Sequence, residues 1–338
     1  MKKIAIVGMG AVGSVFAAYL GKLDRTMVQL SAIARGDTLP KLRTQGLTWV
    51  DANGDTHSTP LTATDNPTEL GVQDLVIVSV KGPSLQAVAP TISALLGPHT
   101  IVLVAMNGVP WWFVDGHQGE CAGLQLHAVD PGGVTAQHIP TPHVLGCVVH
   151  LSAQSPQPGR VEKIKGNQLL IGEPNGVISD RVNEVGTLLA NCGFDIKVSA
   201  HIQQDIWFKL WGNMTMNPVS ALTRAPCDQI LDDPLVKDFC SAVMREAQVI
   251  GNRIGCVIEQ DPEARHGVTR SLGSFKTSML QDVEAGKPIE LDALLGVVQE
   301  IGQHLHVETP NINALLGLTR LMAQGSGLYP RKSESNQK

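Results

Sequence analysis

The stretch from Lys3 to Ala17, KIAIVGMGAVGSVFA, constrains this chain more than any other. Ile4, Ala5, Ile6 and Val7 suit a buried parallel strand. Gly8, Gly10 and Gly13 then stand at G-x-G-x-x-G spacing, and Val12, Phe16 and Leu20 continue at helical intervals. A strand, a tight turn and a helix start are predicted, the opening unit of a dinucleotide-binding sheet. Each glycine has its own task there. Gly8 makes the turn, Gly10 lets a pyrophosphate approach the backbone, and Gly13 lets helix and strand pack closely. The phosphates meet the unpaired N–H groups and the positive dipole end of the helix.

A secretory signal is the competing reading, because Lys2 and Lys3 precede an apolar run that ends in the small residues Ala17 and Ala18. Three glycines would interrupt the apolar helix of a signal, and cleavage would delete the first strand. A cytoplasmic protein is expected instead. With 338 residues the chain is long enough for two domains with separate cores. A net charge of −5 gives no basic face for nucleic acid, and no apolar run reaches the roughly 20 residues that span a bilayer. A small-molecule partner is expected, with no nucleic acid and no membrane. The six cysteines show neither C-x-x-C nor metal-ligand spacing with histidine, so they read as buried apolar residues in a reducing compartment, with no metal site.

Val28 to Ala34 reads as the second strand and ends at Arg35-Gly36-Asp37. An acid at that strand end bonds the ribose hydroxyls of NAD, whereas an arginine holds the extra phosphate of NADP. Arg35 leaves the strand first, which favours NADP; Asp37, within reach of a ribose, keeps NAD open. Leu75 to Val80 and Ile101 to Ala105 are short apolar runs typical of strands buried on both faces, and 82–95 suits the crossover helix between them. Lys81 and Asn107 follow these two runs, at the strand ends where ligands of open parallel sheets bind. Rim charge and simple turn are their plainer readings. Leu124 to Val129, Val144 to Leu151 and Leu169 to Ile171 read as further strands of the same sheet, some antiparallel; Ser179 to Ala190 as a helix; Phe194 to Val198 as the last strand.

From His201 onward helical periodicity takes over, in 206–216, 234–254, 262–272, 277–284, 292–304 and 311–322. The expected division is a sheet domain over 1–198, a helical domain over 199–330 and a polar tail over 331–338. In Ile206–Pro218 the single charge, Lys209, stands amid two tryptophans, a phenylalanine and two methionines. Lys209, Asn213 and Asn217 fall at i, i+4 and i+8, one polar stripe rising about 12 Å. Pro218 is expected to end or kink the helix. Asparagine is a poor helix-interior residue, so two on one face need a reason. One is a solvated stripe with Lys209 snorkelling to water. The other is a partly desolvated lysine whose lowered pKa lets it protonate a forming alkoxide while its charge stabilises the oxyanion. Ser278 can donate to a carboxylate and Glu290 can accept from a hydroxyl; a helix-start residue and a surface charge are the plainer readings. Histidine, here His201, is the rival acid.

Taken together, the glycine motif, Arg35-Gly36 with Gly46-Leu47, Lys81, Asn107-Gly108, Lys209 with Asn213 and Asn217, and the Ser278–Asp282 run with Glu290 and Asp292 resemble the ketopantoate reductase (2-dehydropantoate 2-reductase) family over nearly the whole chain. The resemblance implies an α/β fold, a Rossmann-type sheet domain followed by an all-helical domain similar to those of 6-phosphogluconate-type dehydrogenases. It implies that Gly8, Met9, Gly10, Ala11, Val12 and Gly13 hold the pyrophosphate of NADPH/NADP+, that Arg35 holds the 2′-phosphate, and that Lys81 lies near ribose and phosphates. Asn107 would sit between cofactor and substrate. Lys209 would be the general acid for hydride addition to the C2 carbonyl of a 2-oxo acid in pantothenate biosynthesis. Asn213, Asn217 and Ser278 would anchor the substrate, and Glu290 would accept from its terminal hydroxyl. Val109-Pro110-Trp111-Trp112 departs from the family pattern. Those two indoles either reshape the pocket for a bulkier oxo acid or are buried packing at a domain seam. A non-catalytic NADP-binding sensor is the alternative of another class. Oligomeric state stays open, with a homodimer as the candidate assembly.

Overall fold

The computed structural model describes residues 1–51, 53–116 and 119–331; most of the expected polar tail lies outside the described residues. The chain divides into two compact units. The first comprises Met1–Asn107, Trp111–Gly116 and Gly132–Asp205, and the second Gly108–Pro110, His117–Pro131 and Ile206–Lys338.

The first unit runs β1 (Lys3–Val7), α1 (Ala11–Leu20), β2 (Gln29–Ile33), α2 (Thr38–Gln45), β3 (Leu47–Val50), β4 (Thr56–Thr59), β5 (Thr62–Thr64), β6 (Leu75–Val78), α3 (Gly82–Ser93), β7 (Ile101–Val104), α4 (Val134–His138), β8 (Val144–Gln154), β9 (Arg160–Gly172), α5 (Asp180–Asn191) and β10 (Asp195–Val198). The ten strands make one sheet in the order β4-β3-β9-β8-β7-β6-β1-β2-β5, with β10 also on β9. From β8 through β5 every pairing is parallel. Strands β6 and β7 are buried at all four positions, the burial expected of central parallel strands covered on both faces. Antiparallel pairing enters only where β8 turns back into β9 and where β4 closes onto β3. The core gathers Ile4, Ile6, Phe16, Leu20, Ile77 and Leu103 around β1, β6, β7 and α1.

Strands β4 and β5 carry little apolar signal. Three of the four residues in Thr56–Thr59 are exposed, so only their pairing with buried neighbours makes them strands. The predicted strand Leu124–Val129 is a correction in the other direction, because it forms turns. Its backbone N–H groups at His127 and Ala128 donate to the carboxylate of Glu300 at 2.8 Å each, and those of Val129 and Asp130 donate to the carbonyl of Leu126. A carboxylate distant in sequence thus takes the donors that a sheet neighbour would otherwise receive.

The second unit is helical, with α6 (Ile202–Thr223, entering the unit at Ile206), α7 (Cys227–Asp232), α8 (Pro234–Arg253), α9 (Pro262–Ser271), α10 (Ser278–Glu284), a π-helical turn at Asp292–Gly296, α11 (Val297–His304) and α12 (Pro310–Gly325). Asp233 and Asp261 cap α8 and α9 by accepting from backbone N–H groups two and three residues on. Pro218 does not end α6, one of the two outcomes expected of it, since the helix continues to Thr223. The lost hydrogen bond costs about 3 kcal/mol in an isolated helix. Here Met214, Thr215, Val219, Ser220 and Ala221 are all buried, so packing of the last turn offsets that loss.

Candidate active site

In the parallel part of the sheet the strands are in register: Val7 lies beside Ile33 and Val78, and Val78 beside Val104. The C-terminal ends of β2, β1, β6 and β7 therefore finish together. The Gly8–Gly13 loop, Arg35, Lys81 and Asn107 all follow these ends, on one edge of the sheet.

The three glycines differ in what holds them. Gly8 has φ +101°, and a Cβ there would lie 2.8 Å from the backbone nitrogen and Cγ1 of Val80. At Gly13 a Cβ would fall 2.0 Å from the carbonyl oxygen of Gly8, so no side chain fits between α1 and β1. Ser79 ties the loop to β6 by donating from Oγ to the Gly8 carbonyl at 2.8 Å. Gly10 is unlike either. Its φ is −76°, which any residue adopts, and nothing lies within 4 Å of where its Cβ would be. Neither backbone nor packing asks for glycine at this position. Gly10 is also the N-cap of α1, with no side-chain cap and no acidic residue in the first turn. The residues fit the diphosphate of a dinucleotide: open space over Gly10, in front of an uncapped positive helix end.

Arg35 is exposed just beyond β2, and among the described residues it pairs with no carboxylate. Gly36 follows with φ +54°, and exposed Asp37 holds the N-cap position of α2 without bonding its backbone. Lys81 is the half-buried N-cap residue of α3, in extended conformation. Asn107 is half-buried one residue before Gly108, whose φ is +81°.

In the helical unit α6 is buried on nearly every side. Trp207, Trp211 and Met214 are fully inaccessible, and Trp211 donates from Nε1 to the Met244 carbonyl at 2.7 Å. Lys209 and Asn213 are half-buried, and Asn217 retains only 8 % of its surface. The stripe is thus not a solvated face: it is wet at the lysine end and dry at Asn217. Gly212, one turn from Lys209, carries the guanidinium of Arg265 flat against it, because a Cβ at Gly212 would lie 2.5 Å from Nη2 and 2.8 Å from Cζ and Nε. Sequence reading missed Arg265. The only linear hint was a glycine inside the helix that bears the lysine.

Ser278 is the exposed first residue of α10. That is the helix-start position of its plainer reading; the cap itself is Thr277, which accepts from the Leu280 N–H at 3.2 Å. Glu290 is half-buried between buried Ile289 and Leu291, ahead of the π-helical turn. Within that turn Asp292 accepts from the Tyr329 hydroxyl at 2.8 Å, and burial holds its carboxyl above the ordinary carboxylate range. His201, the rival acid, is exposed. The six cysteines are free and buried; desolvation pushes the Cys192 thiol up to about 11 and those of Cys227, Cys240 and Cys256 to about 12, so these four are not thiolate nucleophiles. Trp111 and Trp112 are buried in the sheet unit, with the Trp112 ring against Gly146 of β8. Of the two readings of this pair, buried packing is the one their burial supports. Among the described residues no helix is long and apolar enough to cross a membrane.

The family model described as Ketopantoate reductase PanE/ApbA matches residues 4–176, and that of its C-terminal part matches residues 201–323. A 2-dehydropantoate 2-reductase of Mesorhizobium japonicum is 38 % identical over 97 % of this chain and 99 % of its own length. One from Halobacterium salinarum is 27 % identical over 96 % of this chain and 100 % of its own. A solved structure of a candidate ketopantoate reductase from Ralstonia solanacearum MolK2 superposes with a TM-score of 0.92 at 53 % identity, covering 97 % of this chain and 99 % of that one. The glycine cradle, the helix bearing Lys209 and these matches across both units lead to one assignment: the chain belongs to the ketopantoate reductase family.

Proposed function

We propose that this chain reduces 2-dehydropantoate (ketopantoate) to D-pantoate with NADPH, and that Lys209 is the general acid. When bound, the reduced nicotinamide supplies the hydride that adds to C2. The carbonyl oxygen gains charge as that bond forms, and the Lys209 ammonium offsets it before giving up a proton to the new hydroxyl. The observation that carries this reading is one half-buried ammonium, with amides at i+4 and i+8, on a helix otherwise packed in apolar side chains. Asn213 and Asn217 anchor the substrate beside that group. Ser278 donates to its carboxylate, Glu290 accepts from its terminal hydroxyl, and Asn107 serves both substrate and cofactor.

Preference for NADPH over NADH rests on Arg35, an exposed guanidinium with no carboxylate partner among the described residues, set at the end of β2 where an adenosine ribose is held in such sheets. Gly8, Met9, Gly10, Ala11, Val12 and Gly13 receive the diphosphate, and Lys81 lies near ribose and phosphates. Trp111 and Trp112 are buried, which supports packing over a pocket reshaped for a bulkier oxo acid. The test is NADPH oxidation with ketopantoate against a panel of 2-oxo acids, alongside Lys209→Ala. The variant should lose about 10² or more in kcat while its NADPH affinity persists. Near-full turnover by Lys209→Ala would remove the lysine from the mechanism, and a higher kcat/KM on another oxo acid would change the substrate.

A further inference from the structure

We infer that Arg265 is a substrate-binding residue, a carboxylate receptor set into the face of α6 one turn from Lys209. The argument starts from its bonding. Among the described residues the guanidinium makes a single hydrogen bond, from Nη1 to Thr269 Oγ1 at the long distance of 3.5 Å, while its Nε is buried and has no partner. No carboxylate is paired with it. The acids of its own helix are engaged elsewhere, since Asp261 caps the N-terminus and Glu263 pairs with Lys237 at 3.2 Å. Two other arginines of the helical unit are ion-paired, Arg253 with Glu120 and Arg270 with Asp232. Desolvation, with no acid opposing it, pulls the Arg265 guanidinium below its usual range.

A desolvated cation without a counterion costs free energy and persists when function requires it. An anion from outside supplies the missing partner, and the guanidinium's planar fork suits a carboxylate better than any other group of that size. Gly212 supports the same conclusion. Glycine in a helix interior is about 1 kcal/mol worse than alanine, yet alanine at this position would push its Cβ into Cζ and Nη2. The helix gives up that stability to let the guanidinium lie flat, on the turn that carries Lys209 three residues earlier and Asn213 one residue later.

The chemical class follows from that spacing and rests on the function proposed above. In a 2-oxo acid the carboxylate is one bond from the carbonyl carbon, so an anion held by Arg265 brings the C2 oxygen to the neighbourhood of Lys209. Arg265 thereby selects 2-oxo acids over uncharged ketones, adding a charged contact to the single hydroxyl of Ser278.

The experiment compares the full-length protein with Arg265→Met, which keeps the aliphatic packing, and with Arg265→Lys and Gly212→Ala. Arg265→Met should raise KM for ketopantoate about 100-fold, the scale of a desolvated charged pair, with NADPH affinity unchanged. Arg265→Lys should recover part of the loss, and Gly212→Ala should raise KM by displacing the guanidinium. The melting temperature of ligand-free Arg265→Met should equal or exceed that of the parent, because an uncompensated charge has been removed; a merely structural arginine would lower it. A second readout needs no turnover: the rise in melting temperature that ketopantoate gives the NADP+-loaded parent should vanish in Arg265→Met. If the parent turns over and Arg265→Met keeps its KM within about threefold, the inference is overturned while the reductase reading stands. If the parent is inert but its thermal response to ketopantoate depends on Arg265, the receptor stands and the reductase reading falls. An inert parent with no thermal response overturns both.

Discussion

Gly10 and Gly13 stand three residues apart in one motif, and the structure separates what each is for. At Gly13 an added methyl group would sit 2.0 Å from the Gly8 carbonyl oxygen, against the roughly 3.4 Å of ordinary van der Waals contact. Helix α1 would have to withdraw from β1 by more than 1 Å, at a position where Phe16 and Ala17 are fully buried against the sheet. Overpacking of that kind costs about 1–3 kcal/mol, or about 3–10 °C in melting temperature for a unit of this size. At Gly10 the same methyl group meets nothing within 4 Å and φ is already −76°. Alanine is a poorer N-cap than glycine, but it also reduces the freedom of the unfolded chain, so the two effects nearly cancel and stability should change by less than about 1 kcal/mol. Nucleotide binding should respond in the opposite order. Gly10→Ala fills the space proposed for the diphosphate and should weaken NADPH at least about 30-fold, or about 2 kcal/mol, at an unaltered melting temperature. Thermal denaturation paired with NADPH titration by fluorescence reads both quantities on each variant. If Gly10→Ala melts as early as Gly13→Ala and binds NADPH normally, Gly10 is a structural glycine and the cradle argument fails.

Two other predictions concern charge. Arg35→Ala should weaken NADPH by about 10- to 100-fold, the worth of a hydrogen bond to a charged group, and leave NADH binding unchanged; an equal loss for both cofactors would move Arg35 away from the 2′-phosphate. Asp292 sets a stability window in pH. Burial raises its folded pKa, and the hydrogen bond from Tyr329 only partly opposes that. The native state therefore holds the Asp292 proton more tightly than the unfolded chain does, so this contribution is fully present below the unfolded value of 3.8 and is lost as pH rises through the folded one. Asp292→Asn abolishes the titration, so its melting temperature relative to the parent should improve as pH rises from 3.8 through an interval of falling parent stability. A difference that stays constant across that interval would contradict the assignment.

Much of this organisation is legible in the linear sequence because its causes are local. The Lys3–Ala17 motif, the short apolar runs that became β6 and β7, and the i, i+4, i+8 stripe on α6 each follow from periodicity within one element. What escaped depends on partners far along the chain. Leu124–Val129 has strand composition, yet Glu300 takes the backbone donors of His127 and Ala128. Thr56–Thr59 has almost none, yet it is a strand because Leu47–Val50 lies beside it. Pro218 is a helix breaker by local rules and is overruled by the burial around it. Arg265 is illegible for the same reason. Its nearest neighbour, Gly212, belongs to another helix, and nothing in the run RHGVTR announces a ligand.

The construction of α6 explains how a stripe of unfavourable residues can be held in place at all. Lysine and two asparagines on one side of a helix add little to stability, and the glycine and proline that accompany them subtract from it. The compensation lies on the other side. Trp211 is locked by its bond to the Met244 carbonyl, and Trp207 packs so closely on Gly251 of α8 that a Cβ there would collide with the indole. These two indoles, held at Met244 and Gly251 of α8, and the buried last turn around Pro218 fix the axis and rotation of α6 independently of its polar face. A group that must deliver a proton needs a position defined to within about 0.5 Å, and packing of the carrier provides that where the polar side chains themselves cannot. The polar stripe is then free to be chosen for chemistry, and Gly212 is tolerable under the Arg265 guanidinium because the stability of the helix is secured elsewhere.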